Sequence, residues 1–195
     1  MNRTWNFETG AGQAEDFLSA ASSRVEYRLT FGQKDDCIHN EGADKMDEYA
    51  YVSMVHRTPV SLPCLLETEC SFRTYGAPLL ILADAVDTLP DGRLQYGHHI
   101  EVVGWEKGIN VWDLTPDPEA PNGQRTVNLG RFSFPIEDGA RFLLTARADR
   151  QGLVVGAEVN GRSAQFDCPC VLPEKCYVGI TACEGETYFY RFSIR

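Results

Sequence analysis

The sequence predicts an all-β protein in which two antiparallel sheets stack face to face as a sandwich. Short segments with alternating polar and apolar residues recur along the chain, separated by Gly, Asn, Asp and Pro. Asn160-Gly161 lies between two such segments, and this dipeptide is the strongest short signal for a β-hairpin. Little helix is expected, and only "AEDFLSAAS" near the N-terminus could form a turn or two. About a dozen strands must therefore share two layers, because each sheet has to bury one face.

The first half of the chain contains four predicted strands, over residues 24–31, 48–57, 64–73 and 77–86. "RVEYRLTF" alternates cleanly, whereas "EYAYVSMVHR" does so less regularly. "APLLILADAV" is a continuous apolar run, which fits a strand that is buried on both faces.

The second half alternates more regularly. "RFLLTARAD" places four apolar side chains on one face, and "GLVVGAEV" and "RSAQFD" flank the Asn160-Gly161 turn. "CYVGITA" and "TYFYRFSIR" close the chain as two further strands, the second with Tyr188, Tyr190, Phe192 and Ile194 on one face. "TPDPEAPNGQ", residues 115–124, is Pro-rich and polar and is predicted to be a loop.

Length and charge limit the possible functions. The 195 residues suit one sandwich domain, residues 1–195, with residues 1–23 as an N-terminal segment that forms a short helix or an edge strand. The net charge of -10 argues against nucleic acid as a partner, since phosphate binding needs clustered Lys and Arg. The sequence contains no basic amphipathic stretch, so binding to a membrane surface is not predicted. Because no apolar run follows Arg3, no secretory signal is predicted and a cytoplasmic location is expected.

Seven cysteines are present, and "CPC" places Cys168 and Cys170 on either side of a proline. Zinc sites prefer two residues between paired cysteines, so this spacing favours buried free thiols over a metal site. Neighbouring His98 and His99 alternate sides of one strand and form a poor chelate. The acidic stretch from Asp35 through "EGADKMDE" lacks a calcium-loop pattern. No metal and no cofactor are therefore expected; calcium is possible but unsupported.

One hairpin carries the candidate site. In "YGHHIEVVGWEKGINVWDL", residues 96–114, Lys107-Gly108 is predicted to be the two-residue turn. That register pairs Trp105 with Asn110, Val103 with Trp112 and Glu101 with Leu114. One face then presents the polar and aromatic set His99, Glu101, Trp105, Asn110 and Trp112. The other face is small and apolar and suits the core, with Ile100, Val102, Gly104 and Val111.

The polar and aromatic face has the chemistry of a sugar site. A pyranose stacks its C–H face on tryptophan, while carboxylates, amides and imidazoles hydrogen-bond its hydroxyls. We therefore predict that Trp105 and Trp112 stack on a glycan and that His99, Glu101 and Asn110 contact its hydroxyls. A register different by one residue would exchange the faces and place both tryptophans in the core.

Three segments, "HHIEVVGWEKG", "LVVGAEVNGRSAQF" and "YVGITACEGETYFYRFSI", resemble the concanavalin A-like lectin/glucanase superfamily of jelly-roll β-sandwiches. The resemblance covers most of the chain from about residue 24. Members are carbohydrate-binding modules and lectins, glycoside hydrolases, and lyases or isomerases. It implies a protein that recognises carbohydrate on the concave sheet.

Two alternatives remain open. The first is a glycoside hydrolase or other carbohydrate-active enzyme of this fold. Retaining glucanases carry E-x-D-x-E or E-x-D-x-x-E, whereas "EVVGWE" has Val103 in place of the central Asp. Without a bulge, Glu101 and Glu106 point to opposite faces, so Glu101 would act as acid or base with an unidentified second carboxylate. The second alternative is an interaction or assembly module, whose aromatic face is buried against a partner or a second copy.

Overall fold

The computed structural model describes residues 2–8, 14–23, 30–41 and 51–195, and the structural statements below concern these residues. They form seventeen strands and one short 3-10 helix, Ala14–Asp16. The first ten strands are β1 Arg3–Asn6, β2 Phe17–Leu18, β3 Ala20–Ala21, β4 Phe31–Lys34, β5 Cys37–Asn40, β6 Val52–His56, β7 Val60–Ser61, β8 Cys64–Ala83, β9 Val86–Thr88 and β10 Leu94–Tyr96. The others are β11 His99–Trp105, β12 Gly108–Pro116, β13 Gln124–Ser133, β14 Phe142–Asp149, β15 Gly152–Val159, β16 Arg162–Pro169 and β17 Lys175–Ile194.

Two 20-residue strands, β8 and β17, run side by side through both layers of the fold. In the front layer, the second half of β8 pairs with β11 and the first half of β17 pairs with β6. In the back layer, the first half of β8 pairs with β14, and the second half of β17 pairs with β1 and β5. The front sheet thus has the order β13-β12-β11-β8-β17-β6-β2, and β14, β15 and β16 extend the back sheet.

Apolar side chains from both layers form one buried core. Ile100 and Val111 of the front sheet belong to the same buried cluster as Phe142 and Val155 of the back sheet. Gly104 permits the close approach of the layers, because a Cβ at this position would lie 2.9 Å from the Phe142 ring. The face predicted for the core is buried, and the predicted antiparallel sandwich with little helix is confirmed.

β8 and β17 each bend where they pass from the front to the back layer. Thr74 and Tyr75 of β8 have φ values of 52° and 64°, and Glu184 of β17 has a φ of 62°. The bends touch, because a Cβ on Gly185 would lie 1.7 Å from the Thr74 carbonyl oxygen and one on Gly76 would lie 2.0 Å from that of Glu186. Each long strand was predicted as two separate strands, since a bend of this kind has the same sequence signal as a turn.

Two local predictions have different outcomes. Asn160 and Gly161 have φ values of 51° and 73°, so the type I′ hairpin turn is confirmed. The prediction that one face carries Tyr188, Tyr190, Phe192 and Ile194 is wrong. A bulge between Phe189 and Arg191 shifts the alternation, so that Phe189 enters the core with Phe192 and Ile194.

The N-terminal segment forms an edge strand and one short helical turn. β1 pairs with the last residues of β17, and only Ala14–Asp16 of the predicted helical stretch is helical. The predicted strand over residues 24–31 lies outside the described residues except for its end, as does the start of the strand over residues 48–57. No helix within the described part is long and apolar enough to span a membrane.

None of the seven cysteines forms a disulfide, and all but the half-buried Cys170 are buried. Burial raises the pKa of Cys37, Cys64 and Cys170 to about 11 and that of Cys176 to about 12. At pH 8 at most about one of these thiols in a thousand is then ionised, and the thiolate is the reactive form. We expect slow labelling of the native protein by Ellman's reagent and rapid labelling of all seven thiols in guanidinium. Fewer than seven reactive thiols after denaturation would contradict the absence of disulfides.

Candidate functional site

The hairpin β11–β12 has a turn one residue earlier than predicted. Trp105 pairs with Gly108, Val103 with Asn110 and Glu101 with Trp112, so the turn is Glu106-Lys107. Each pair is displaced by two residues along β12 from the predicted register. Because side chains in a strand alternate with a period of two, this displacement leaves every side chain on its predicted face.

Gly108 has a different role from the one predicted. Its φ is 139°, but it follows the turn instead of occupying its centre. A Cβ there would lie 2.0 Å from the carbonyl oxygen of Phe132 and 2.6 Å from the amide nitrogen of Phe134. Glycine is therefore required for the close approach of β13 and the chain that follows it.

A cavity of about 350 Å³ lies on the outer face of the front sheet and contains four of the five predicted site residues. We call it the outer-face cavity. It is lined by Ala77, Leu79, Glu101, Val103, Trp105, Asn110, Trp112, Leu114, Thr126, Cys183 and Glu184. Sequence reasoning missed Thr126, Cys183 and Glu184, because they come from β13 and β17 and no local motif connects them with the hairpin.

Two polar atoms at the outer-face cavity have no protein partner. Trp105 Nε1 and Asn110 Oδ1 are buried and make no hydrogen bond with any part of the chain that the structure describes. An unsatisfied buried donor or acceptor costs about 1–3 kcal/mol. One atom donates and the other accepts, and their residues are diagonal neighbours on adjacent strands. A bound hydroxyl could satisfy both.

The two tryptophans have different surroundings. Arg131 lies over the Trp105 ring at 5.0 Å from its centroid, and the Lys107 ammonium lies over it at 5.3 Å. Both distances fall within the range of a cation–π contact. Trp112 is half-buried, and no aromatic or cationic side chain among the described residues stacks on its ring. Trp112 is therefore the more accessible platform for a ligand ring.

Glu101 is a buried carboxylate, with 2% of its surface exposed. Tyr51 Oη donates a hydrogen bond to its Oε1 at 3.3 Å, and His99 Nε2 lies 3.7 Å from the same oxygen. These contacts hold Glu101 at the edge of the outer-face cavity, where it can accept hydrogen bonds from a ligand.

His99 does not line the outer-face cavity. It is fully buried, and its Nδ1–H donates to the Gly97 carbonyl at 2.9 Å. The Tyr96 ring packs against it with centroids 5.1 Å apart. The predicted contact of His99 with ligand hydroxyls is thus not supported by its position. His99 lies beside Glu101 on the same face of β11. It is buried because the short strands β3, β9 and β10 cover this end of the face.

Glu184 and Glu106 differ as possible partners of Glu101. Glu184 lines the same cavity from β17. Glu106 lies in the turn with 47% of its side chain exposed, and its carboxylate is 3.4 Å from Lys107 Nζ. Glu106 is therefore solvated and separate from Glu101, whereas Glu184 is a second carboxylate at the site.

Within the described ranges, no group of three or more His, Cys, Asp or Glu side chains is arranged to hold a metal ion. His98 immediately precedes β11, and its Nε2 lies 2.9 Å from Asp113 Oδ1. Much of the acidic stretch considered for calcium, residues 42–50, lies outside the described residues. The absence of a cofactor stays a prediction.

Comparisons with known proteins identify the fold. No family model and no curated protein matches the sequence. Among solved structures, the metal-free VIP36 exoplasmic/lumenal domain has a TM-score of 0.61 at 13% identity, with 100% of this chain and 92% of that chain covered. The carbohydrate-binding module CBM66 from Bacillus subtilis has a TM-score of 0.60 at 11% identity, covering 89% and 91%. Lectin UEA-II complexed with galactose has a TM-score of 0.58 at 10% identity, covering 98% and 97%.

This chain has a concanavalin A-like fold. The resemblance predicted from the sequence is confirmed at this level. Because the identities are 10–13%, the likeness concerns the architecture and not the site residues. In this chain β11, β12 and the second half of β8 lie side by side, and all three strands contribute residues to the lining of the outer-face cavity.

Proposed function

We propose that this protein binds a carbohydrate in the outer-face cavity. The observation that carries the proposal is the unpartnered pair Trp105 Nε1 and Asn110 Oδ1, buried in a cavity that also contains Trp112 and Glu101. A hydroxyl group accepts one hydrogen bond and donates another, so it complements a donor and an acceptor side by side. Sugars combine many hydroxyls with an apolar ring face, which suits this lining.

Each side chain then has a defined role. Trp112 stacks on the apolar face of the sugar, since its ring is free of cations and aromatic partners among the described residues. Trp105 and Asn110 bind one hydroxyl, and Glu101 accepts a hydrogen bond from another. Trp105 contributes its indole edge, because Arg131 and Lys107 lie over its ring. His99 and Tyr51 position Glu101.

The fold neighbours support a sugar as the ligand. Their names describe a carbohydrate-binding module, a VIP36 domain bound to Ca2+ and Man2, and a lectin complexed with galactose. The size of the outer-face cavity, about 350 Å³, lies near the lower end of ligand pockets in general. This volume favours one or two sugar rings over a long polymer inside the cavity.

The first test is a titration of tryptophan fluorescence with a panel of mono- and oligosaccharides, with thermal melts of the same samples. We expect a saturable change for one sugar class together with a higher melting temperature. At 100 times Kd, bound ligand stabilises the native state by about 2.7 kcal/mol. If no sugar binds and the protein self-associates through this face, the assembly-module alternative replaces the proposal. Sedimentation measurements would compare wild type with a Trp112→Arg variant, in which association through this face should be lost.

A second candidate function is a glycoside hydrolase, favoured by Glu184. Glycosidases use two carboxylates on either side of the scissile bond, one as acid and the other as nucleophile or base. Glu101 and Glu184 both line the outer-face cavity, and the first is buried whereas the second is exposed. Glu184 is thus the partner that the sequence alone could not supply.

Under the hydrolase hypothesis, Glu101→Gln and Glu184→Gln each reduce turnover by at least about 100-fold while the sugar still binds. The measurement is release of reducing sugar from the glycan class that the titration identifies. Glu106→Gln is the matched control, because Glu106 is nearby but exposed and outside the cavity. If wild-type protein binds the glycan without cleaving it, the hydrolase hypothesis is wrong and only the carbohydrate-binding proposal stands.

A further inference from the structure

Tyr75 is an exposed aromatic residue in a strained backbone conformation beside the outer-face cavity. Its side chain is 76% exposed and its φ is 64°, a region that bulky side chains rarely adopt. Thr74 next to it has a φ of 52°. Such strain costs free energy and persists where surrounding structure enforces it, most often at functional sites.

Hydrogen bonds hold the Tyr75 bend from two sides. The Thr74 amide donates to Asp138 Oδ1 at 3.2 Å. On the paired bend of β17, the Asn40 side chain donates to the Gly185 carbonyl at 2.9 Å and accepts from the Thr187 amide at 2.9 Å. The two bends are also in direct backbone contact through Gly76 and Gly185. Tyr75 is therefore held on a rigid support.

The bend borders the outer-face cavity on two strands. Ala77, two residues further along β8, lines the cavity, as does Glu184, which pairs with Gly76. Strand geometry places the Cα of Tyr75 about 7 Å from that of Ala77. This distance is within reach of a second sugar ring when the first ring occupies the cavity.

We infer that Tyr75 forms a second, sugar-stacking subsite at the mouth of the outer-face cavity. The ligand is then an oligosaccharide of at least two rings, with its terminal ring inside the cavity and the next ring against Tyr75. This inference rests on the proposed carbohydrate binding. Tyrosine has only two side-chain torsions to order on binding, and neighbouring residues already hold the backbone of the Tyr75 bend, so binding costs little conformational entropy.

The test compares affinities for the mono-, di- and trisaccharide of the sugar class that binds wild-type protein. Wild type is expected to bind the disaccharide at least tenfold more tightly than the monosaccharide, with little further gain for the trisaccharide. Tyr75→Ala should remove this gain and leave monosaccharide affinity unchanged, while Tyr75→Phe should keep most of it. Val171→Ala is the control, since Val171 is 84% exposed and lies outside the cavity.

Tyr75→Gly separates binding from structure. Glycine adopts a positive φ without strain, so its melting temperature should equal or exceed that of Tyr75→Ala by a few degrees, while disaccharide affinity falls as in Tyr75→Ala. A disaccharide-to-monosaccharide affinity ratio unchanged in both variants would overturn the subsite and leave the proposed function standing. Failure of wild-type protein to bind any sugar would overturn the proposed function and the subsite with it.

Discussion

Trp112→Ala is expected to weaken sugar binding by about 30-fold or more. Loss of an aromatic platform at a binding site costs about 2 kcal/mol, and each 1.4 kcal/mol is a factor of ten in Kd. Trp112 is half-buried on the outer face and is not part of the sandwich core, so the melting temperature should change by only a few degrees. Calorimetric titration and thermal melts measure the two effects on the same protein.

Two further variants make this result specific. Trp105→Phe keeps an aromatic ring but removes Nε1–H, and the loss of one neutral hydrogen bond should weaken binding by about two- to tenfold. Val127→Ala, on the neighbouring strand β13 and 47% exposed, should have no effect. If Trp112→Ala unfolds the protein, Trp112 is a structural residue. If its affinity equals that of wild type, the stacking role is wrong.

Gly185→Ala is expected to have the largest effect on stability. The added Cβ would lie 1.7 Å from the Thr74 carbonyl oxygen, and this contact is with backbone, which cannot rotate away as a side chain can. We expect the free energy of unfolding to fall by at least about 3 kcal/mol, the upper part of the range for overpacking. For a chain of this size, the melting temperature should then fall by about 6–12 °C.

Gly161→Ala is the matched control for Gly185→Ala. Gly161 has a φ of 73°, but a Cβ there would meet no atom within 4 Å. Its substitution therefore costs only the left-handed backbone strain, about 1–2 kcal/mol. Equal losses of stability in the two variants would show that the bends of β8 and β17 are not in contact.

The outer-face cavity shows which errors a sequence prediction tolerates. The predicted turn of the β11–β12 hairpin was wrong by one residue, yet Glu101, Trp105, Asn110 and Trp112 line one cavity. These residues lie on their predicted faces because the displacement along β12 was two residues, which is the period of a strand. The bulge at Tyr190 had the opposite effect, since one extra residue in β17 exchanged the faces of the residues before it.

Alternation of polar and apolar residues was sufficient, by itself, to determine the sandwich and the common face of four site residues. That pattern is local, and each strand must bury its apolar face whatever its neighbours are. The tertiary structure alone decided that His99 is buried under β10 and that Glu184 and Thr126 join the site. It also decided that the bend of β8 at Tyr75 adjoins Ala77 and Glu184, two residues of the cavity lining. These positions depend on which distant segments become neighbours, because burial and cavity shape are properties of the packed sheets and not of any one strand.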